Sequence, residues 1–127
     1  APAQAPAAAE KRAPLVEEDN IFFRTGATQI DPAERHKLQP HAQRLKADSK
    51  QLLTLVGHTD DQGSRSYNLA IAESRVDAVF QALRSLGVPA RQLQRYPAGE
   101  EMAGTGCQSS ECRRLMRRVE LVYRPQS

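Results

Sequence analysis

The sequence contains no Trp and only 3 Phe and 3 Tyr among its 127 residues, so aromatic side chains contribute little to any hydrophobic core. A chain of this length fits one domain, and its core must be built from Leu, Ile, Val and Ala. No apolar run approaches the roughly 18 residues that a membrane-spanning helix needs. These absences exclude a transmembrane helix within the sequence and favour a small domain with an aliphatic core.

Cysteine is also scarce. The only two cysteines, Cys107 and Cys112, lie five residues apart in a stretch rich in Gly and Ser. A zinc site would be short of ligands, because no His is near this pair. A disulfide that closes a small loop suits an oxidising compartment, so the spacing favours a Cys107–Cys112 bridge over two free thiols.

The chain has no strong excess of charge: 18 Lys and Arg oppose 15 Asp and Glu, for a net charge of +3. This excess does not require a nucleic-acid partner. An RNA-binding sheet also needs exposed aromatics, and Phe22 and Phe23 are adjacent, so only one can face outward. The basic residues are 14 Arg and 4 Lys, which suits bidentate binding of carboxylates, although a GC-rich genome produces the same bias. We therefore expect no nucleic-acid partner, and the composition is compatible with an anionic ligand.

The order of the predicted elements indicates an α+β fold. Ten of the first fourteen residues are Ala or Pro, which predicts a flexible Ala/Pro-rich linker over residues 1–18 and one domain over residues 19–127. Since the chain begins at Ala1 and shows no signal peptide, we expect a mature or trimmed product. The domain is predicted as a two-layer sandwich of order β-α-β-α-β-β. Its mixed sheet has about four strands, with the last two paired and the helices packed on one face.

The element boundaries follow from local patterns. Strands are predicted at 21–23, 51–57, 91–97 and 117–123. A first helix begins with Asp31 as N-cap and Pro32 at its first position, and continues to about Ala47. A second helix has apolar residues three and four positions apart and ends at Gly87 as a left-handed cap. Its stripe is Leu69, Ala72, Val76, Val79, Leu83 and Leu86. Residues 58–68 and 98–113 are predicted as loops.

The polar turn after the second strand, together with the helix behind it, carries the functional signal. The turn reads GHTDDQGSRSYN over residues 57–68. Asp60 leaves the strand end, and Arg75 lies beside the apolar stripe, so a helix that packs back on the sheet can bring the two side chains together. Opposite charges held apart at a pocket mouth can bind a zwitterion, because the carboxylate takes an ammonium and the guanidinium takes a carboxylate.

Structural roles compete with this interpretation. Asp60 can cap a turn through an Asx-type hydrogen bond, Asn68 can be the N-cap of the second helix, and Arg75 can form an ordinary ion pair. His58 beside Asp60 and Asp61 lacks a second His at ligand spacing, and no nucleophile has a supporting partner. We therefore predict no metal site, no cofactor and no catalytic residue.

The segment GHTDxxGxxxYN, followed by a helix with Arg fifteen residues after the Asp, resembles the OmpA-like C-terminal domain. This domain is the peptidoglycan-binding module of Pal lipoproteins, MotB and outer-membrane anchors. The resemblance extends over about residues 21–123 and implies a mixed sheet with helices on one side. It also implies a ligand, the meso-diaminopimelate of the peptidoglycan stem peptide, with its ammonium end at Asp60 and a carboxylate at Arg75.

The resemblance assigns further residues to the same pocket. They are Thr59, Asn68, Arg117 and Arg118. Arg24 stands where the family often has an acidic residue, and a cation there weakens ammonium binding or recruits a carboxylate instead. Ala72 replaces a Ser usual in the family, and Met116 replaces the Asn of an Asn-Arg-Arg motif, which removes an amide that could shape the pocket.

The sequence is compatible with two functions. The resemblance implies a non-catalytic module that anchors an outer-membrane protein or lipoprotein to the cell wall, in the periplasm of a Gram-negative bacterium. Its partner would be peptidoglycan, and it would contact a membrane only through an anchor upstream of residue 1. The alternative is a protein-interaction module of an envelope complex with lost or altered peptidoglycan binding, which Arg24 and Met116 favour.

Overall fold

The computed structural model describes residues 15–99 and 109–124. Most of the predicted linker, and the Cys107 half of the predicted disulfide, lie outside the described residues. The strands are β1 (Asn20–Phe22), β2 (Leu53–His58), β3 (Leu93–Gly99) and β4 (Arg118–Tyr123). The helices are α1 (Pro32–His36), α2 (Leu38–Ala47), α3 (Arg65–Ser85) and α4 (Ser110–Met116), with 3-10 turns at Glu17–Asp19 and Ala90–Gln92. The predicted α+β class is confirmed, and none of the described helices is both long and apolar enough to cross a membrane.

The four strands form one mixed sheet in the order β1-β4-β2-β3. β4 lies between β1 and β2 and is antiparallel to both, whereas β2 and β3 are parallel. The prediction that the last two strands pair with each other is therefore wrong. β2, α3 and β3 form a βαβ unit, in which the helix carries the chain back to a parallel neighbour. This pairing occupies one edge of β2 and leaves the other edge for β4.

The core lies between the sheet and the helices α2 and α3. The inward-facing residues Leu55, Val119 and Leu121 of β2 and β4 are buried together with Leu45 of α2 and Val79 of α3. Alternate residues of a strand point to opposite faces, so the aliphatic positions of each strand collect on the helical side. The core is accordingly aliphatic, as the shortage of aromatic residues predicts.

The second predicted helix starts earlier than its apolar stripe. α3 begins at Arg65 because the hydroxyl of Ser64 caps its first turn. The prediction of a loop through residue 68 is therefore wrong, and of the two roles left open for Asn68 the N-cap is excluded, because Ser64 holds that position. The middle of the stripe is buried. At its two ends, Leu69 is exposed and Leu86 is partly buried. Gly87 ends the helical region with a φ of +98°, as predicted.

Two other segments differ from the prediction. The first helix is interrupted at Lys37 between α1 and α2. Asp31 occupies the N-cap position but makes no side-chain cap hydrogen bond. Its carboxylate accepts a hydrogen bond from Arg24 Nε at 3.2 Å. The loop predicted over residues 98–113 is shorter at both ends. β3 continues into it, and α4 occupies its last part, where the Ser109 hydroxyl caps the first turn.

Helix α3 lies close to β2 because residue 57 has no side chain. A Cβ atom on Gly57 would lie 2.7 Å from Val76 Cγ2 and 2.9 Å from the Ala72 carbonyl oxygen. Both atoms belong to α3, so this glycine sets the distance between the helix and the strand. The distance matters for function, because the end of β2 and the helix α3 carry most of the predicted site.

The substitution Gly57→Ala is expected to lower the free energy of unfolding by about 1–3 kcal/mol, because the added methyl group forces the helix away from the strand. Urea unfolding followed by circular dichroism measures this change. Replacing Gly by Ala without strain stabilises a protein. An unfolding midpoint equal to or above that of the unsubstituted protein would therefore contradict the close contact.

Candidate functional site

A cleft of about 230 Å³ opens at the carboxyl end of β2. Its walls are the loop after β1, the loop between β2 and α3, and the first half of α3. Five of the seven predicted ligand-binding residues line it: Thr59, Asp60, Asn68, Arg75 and Arg117. The fold therefore brings together the two opposite charges, Asp60 and Arg75, that the sequence motif places fifteen residues apart.

Arg75 is buried in the wall of this cleft, with 1% of its surface exposed. Its Nε donates a hydrogen bond to the Ala27 carbonyl at 2.8 Å, and its Nη2 donates one to the Arg24 carbonyl at 3.2 Å. Its guanidinium also lies over the Phe23 ring, 5.1 Å from the ring centroid. Helix α3 is thereby attached to the loop after β1, which forms the opposite wall of the cleft.

The positive charge of Arg75 has no ionic partner among the residues that the structure describes. Burial lowers the pKa of Arg75 to about 10, and the nearby charge of Arg117 also lowers it, whereas Asp60 raises it. The guanidinium is still protonated at neutral pH. A buried charge of this kind is costly unless an anion joins it, and a guanidinium has five N–H donors, of which the loop carbonyls use two.

Asp60 makes the predicted turn contact and also lies in the wall of the cleft. Its Oδ1 accepts a hydrogen bond from the Gln62 amide at 3.0 Å, which is the Asx-type turn contact. Its Oδ2 accepts one from Arg117 Nη1 at 3.2 Å, and Arg117 is held in turn by a hydrogen bond from its Nε to the Phe23 carbonyl. Asp60 therefore shapes the loop and also faces the cleft.

Thr59 and Asn68 supply polar groups to the same cleft. Thr59 is 2% exposed, and its buried hydroxyl has no hydrogen-bond partner within residues 15–99 and 109–124. Such a group costs free energy in the free protein, so a ligand that bonds to it would gain affinity. Asn68 lies one turn into α3 and is also buried.

Arg24 and Arg118, the remaining two predicted residues, do not line the cleft. The Arg24 side chain is 80% exposed and pairs with Asp31, and only its backbone carbonyl serves the site, through Arg75. Arg118 is buried on β4, where its Nε donates to Asn20 Oδ1 at 2.9 Å. The prediction that their side chains belong to the pocket is not supported by this placement.

A polar cluster beside the cleft explains why Arg118 is buried. His58 Nε2 lies 3.0 Å from Glu120 Oε1, and Arg118 Nη2 lies 3.6 Å from the same oxygen. The hydrogen bond from His58 holds the pKa of Glu120 below its usual value, and the charge of Arg118 acts in the same direction. His58 and Arg118 are paired across β2 and β4, so this cluster joins the two central strands.

Several lining residues were not singled out from the sequence. They are Thr25, Gly26, Gln62, Gly63, Tyr67 and Ile71. Gly63 and Tyr67 belong to the motif itself, and a Cβ atom on Gly63, which has a φ of +97°, would lie 3.0 Å from the Tyr67 ring. Their positions in the motif could have identified Gly63 and Tyr67 as cleft residues. Thr25 and Gly26 carry no such signal, since only the fold brings their loop to α3.

Within residues 15–99 and 109–124, no group of three or more His, Cys, Asp or Glu side chains is placed to hold a metal ion. Cys112 lies on α4, and because Cys107 is outside the described residues, the predicted bridge between them stays a prediction.

The chain thus folds as an open mixed sheet with a charged cleft at the end of a central strand. The OmpA family matches residues 22–117 of this chain. The peptidoglycan-associated lipoprotein of Agrobacterium fabrum is 36% identical over 104 residues, which cover 82% of this chain and 59% of that protein. The corresponding protein of Pseudomonas aeruginosa is 35% identical over 101 residues, covering 80% and 60%. The chain belongs to the OmpA family, and it spans about three fifths of the length of these curated relatives.

Solved structures agree with this assignment. The crystal structure of the peptidoglycan-associated lipoprotein from Burkholderia pseudomallei superimposes with a TM-score of 0.79 at 31% identity, covering 84% of this chain and 90% of that chain. The C-terminal domain of Helicobacter pylori MotB gives a TM-score of 0.78 at 21% identity, with 86% of each chain covered, which shows the fold alone. The family consists of structural, non-catalytic proteins, so the prediction that this chain is not an enzyme is confirmed.

The Glu120 cluster predicts how stability depends on pH. Because the pKa of Glu120 is lowered on folding, its contribution is present above the ordinary value of 4.5 and is lost as the pH falls below it. The free energy of unfolding is expected to decrease on acidification, and Glu120→Gln is expected to flatten part of this decrease.

The measurement is urea unfolding at a series of pH values between neutrality and pH 3. Glu73→Gln is the matched control, because Glu73 is exposed on α3 and pairs with no described residue. If both variants keep the pH dependence of the unsubstituted protein, the cluster does not contribute to stability.

Proposed function

We propose that this chain is a non-catalytic peptidoglycan-binding module that holds an envelope protein to the cell wall. The cleft would bind the meso-diaminopimelate of the stem peptide. The location would be the periplasm of a Gram-negative bacterium, with attachment to the outer membrane through a segment upstream of residue 1. Membership of the OmpA family and the names of the peptidoglycan-associated lipoproteins support this proposal.

One observation carries the proposal: the buried Arg75 guanidinium in the cleft wall has no counter-ion among the described residues. A carboxylate of the ligand would supply that counter-ion through paired hydrogen bonds, which are strongest when both groups are charged and water is excluded. Asp60 stands at the other end as the acidic group. The Arg75 guanidinium would take the carboxylate of a zwitterionic side chain, whereas the ammonium would have to share Asp60 with Arg117.

Neighbouring groups fit the rest of such a ligand. The Thr59 hydroxyl is a buried donor and acceptor that needs a partner, and Asn68 presents an amide in the same wall. The exposed ring of Tyr67 provides an apolar surface at the rim for the methylene groups of diaminopimelate. Each contact is weak alone, but a cell wall presents many identical sites, so avidity compensates for a modest single-site affinity.

The proposal also includes two features that lie partly outside the described residues. The Ala/Pro-rich linker would span the distance between the anchor and the wall. A Cys107–Cys112 disulfide would suit the oxidising periplasm, and it would brace the segment that leads into α4 and Arg117.

The first test is co-sedimentation with purified sacculi. Arg75→Met removes the charge but retains a long side chain, and it is expected to weaken sedimentation by at least about tenfold, because the carboxylate loses its charged partner. Arg91→Met is the matched control, since Arg91 is exposed at a distance from the cleft and the change in net charge is the same. Equal sedimentation of the two variants, with both folded by circular dichroism, would contradict the proposed site.

The second test is calorimetric titration with a stem peptide that ends in meso-diaminopimelate, compared with one that ends in lysine. The lysine peptide keeps an ammonium group but lacks the second carboxylate, so it is expected to bind at least about tenfold more weakly. If neither peptide binds, the chain has kept the fold and changed its ligand. The alternative function, a protein-interaction module of an envelope complex, would then take precedence.

A further inference from the structure

The carboxylates around the cleft already have cationic partners within the protein. Asp60 pairs with Arg117 at 3.2 Å, and Asp61 lies 3.6 Å from Arg113. Asp31, at the far side of the loop after β1, pairs with Arg24 at 3.2 Å. Each of these three acidic groups is therefore neutralised before any ligand arrives.

The cationic side of the cleft differs. Two guanidinium groups, Arg75 and Arg117, line the cleft with the single carboxylate Asp60. Arg117 is paired with Asp60, whereas the hydrogen bonds of Arg75 to other described residues all go to backbone carbonyls. The unbalanced charge of the cleft is therefore positive, and it is located at Arg75.

A ligand ammonium would have to share Asp60 with Arg117. Both oxygens of Asp60 already accept hydrogen bonds, one from Gln62 and one from Arg117. Arg117 is only 15% exposed at its side chain and is fixed by a second hydrogen bond to the Phe23 carbonyl at 3.1 Å, so it is not free to leave. An ammonium that approaches Asp60 would also be repelled by the Arg117 charge.

Resting on the proposed function, we propose that Arg117 occupies the cationic half of the site, so that the ligand is recognised mainly through its carboxylate. The ligand class is then a diaminopimelate stem peptide whose side-chain carboxylate is free and ionised. A stem peptide that carries a primary carboxamide at this position binds more weakly, because the amide brings no charge to Arg75. The side-chain ammonium of the ligand contributes little.

The test is a calorimetric titration of the full chain with three stem tripeptides that differ only in their last residue. The first ends in meso-diaminopimelate, the second in its side-chain carboxamide, and the third in 2-aminopimelate, which keeps the side-chain carboxylate and lacks the side-chain ammonium. The carboxamide is expected to bind at least about tenfold more weakly than the first peptide, and 2-aminopimelate less than about threefold more weakly.

The order of the two analogues decides the result. If the carboxamide is the weaker ligand, recognition through the carboxylate is supported. If 2-aminopimelate is equal to it or weaker, the inference is overturned while the proposed function stands. If no peptide binds, the proposed function itself fails, and the inference fails with it.

A variant tests the role of Arg117 directly. Arg117→Gln removes its charge from Asp60, so the affinity ratio between diaminopimelate and 2-aminopimelate is expected to rise to about tenfold or more, because the ammonium gains an unshared carboxylate. Arg114→Gln, exposed on α4, is the control for the same change in net charge and should leave the ratio unchanged. An unchanged ratio in a folded Arg117→Gln would contradict the proposal. Should that variant fail to fold, the three peptides with the unsubstituted protein still decide.

Discussion

The contact on which the site depends is the pair of hydrogen bonds from Arg75 to the backbone carbonyls of Arg24 and Ala27. The loop that carries these carbonyls has no strand or helix of its own between β1 and α1. Through these bonds one buried side chain attaches it to α3 and forms the wall of the cleft. Backbone carbonyls solvate the guanidinium without cancelling its formal charge, so the same contact builds the cleft and leaves it positively charged.

The position of Arg75 depends in turn on how closely α3 approaches the sheet. Gly57 lies in β2, immediately before the residues that lead to Thr59 and Asp60, and its missing side chain admits the Ala72–Val76 turn of the helix. Arg75 follows on that turn. The aliphatic core therefore holds the end of β2 at a fixed distance from α3. This distance in turn fixes the separation of Asp60 and Arg75. The burial of an unpaired cation costs stability in the free protein, and a bound carboxylate would offset that cost.

Much of the fold could be predicted from local patterns. The stripe of α3, the cap at Gly87 and the aliphatic face of β4 are encoded by neighbouring residues, so periodicity was sufficient for them. The position of β4 between β1 and β2 could not be predicted, because any edge of β2 satisfies the same pattern until its partner is known. The helix at Ser110–Met116 was missed for a related reason, since seven residues rich in polar side chains show no clear apolar stripe.

For the candidate site, the sequence identified Thr59, Asp60, Asn68 and Arg75 through one motif, and the structure places all four in one cleft. The sequence motif did not predict the ion pairs that surround the cleft. In the sequence, Arg24 replaces an acidic residue that the family often has. In the structure, its side chain pairs with Asp31, and its backbone carbonyl accepts a hydrogen bond from Arg75. Pairings of this kind depend on loops that meet only after folding, so the spacing of residues along the chain does not encode them.

Arg117 and Arg118, at the junction of α4 and β4, have the same chemistry but different surroundings in the folded chain. Successive side chains of an extended chain point to opposite sides, so only one member of such a pair can reach the cleft. Arg117 takes that position beside Asp60, while Arg118 turns to Asn20 and Glu120 on the other side. Arg117 therefore neutralises Asp60 in the site, and its neighbour Arg118 contributes to the strand pairing that keeps Arg117 in place. A basic pair that looks like a single anion-binding element in the sequence has two different tasks in the folded protein.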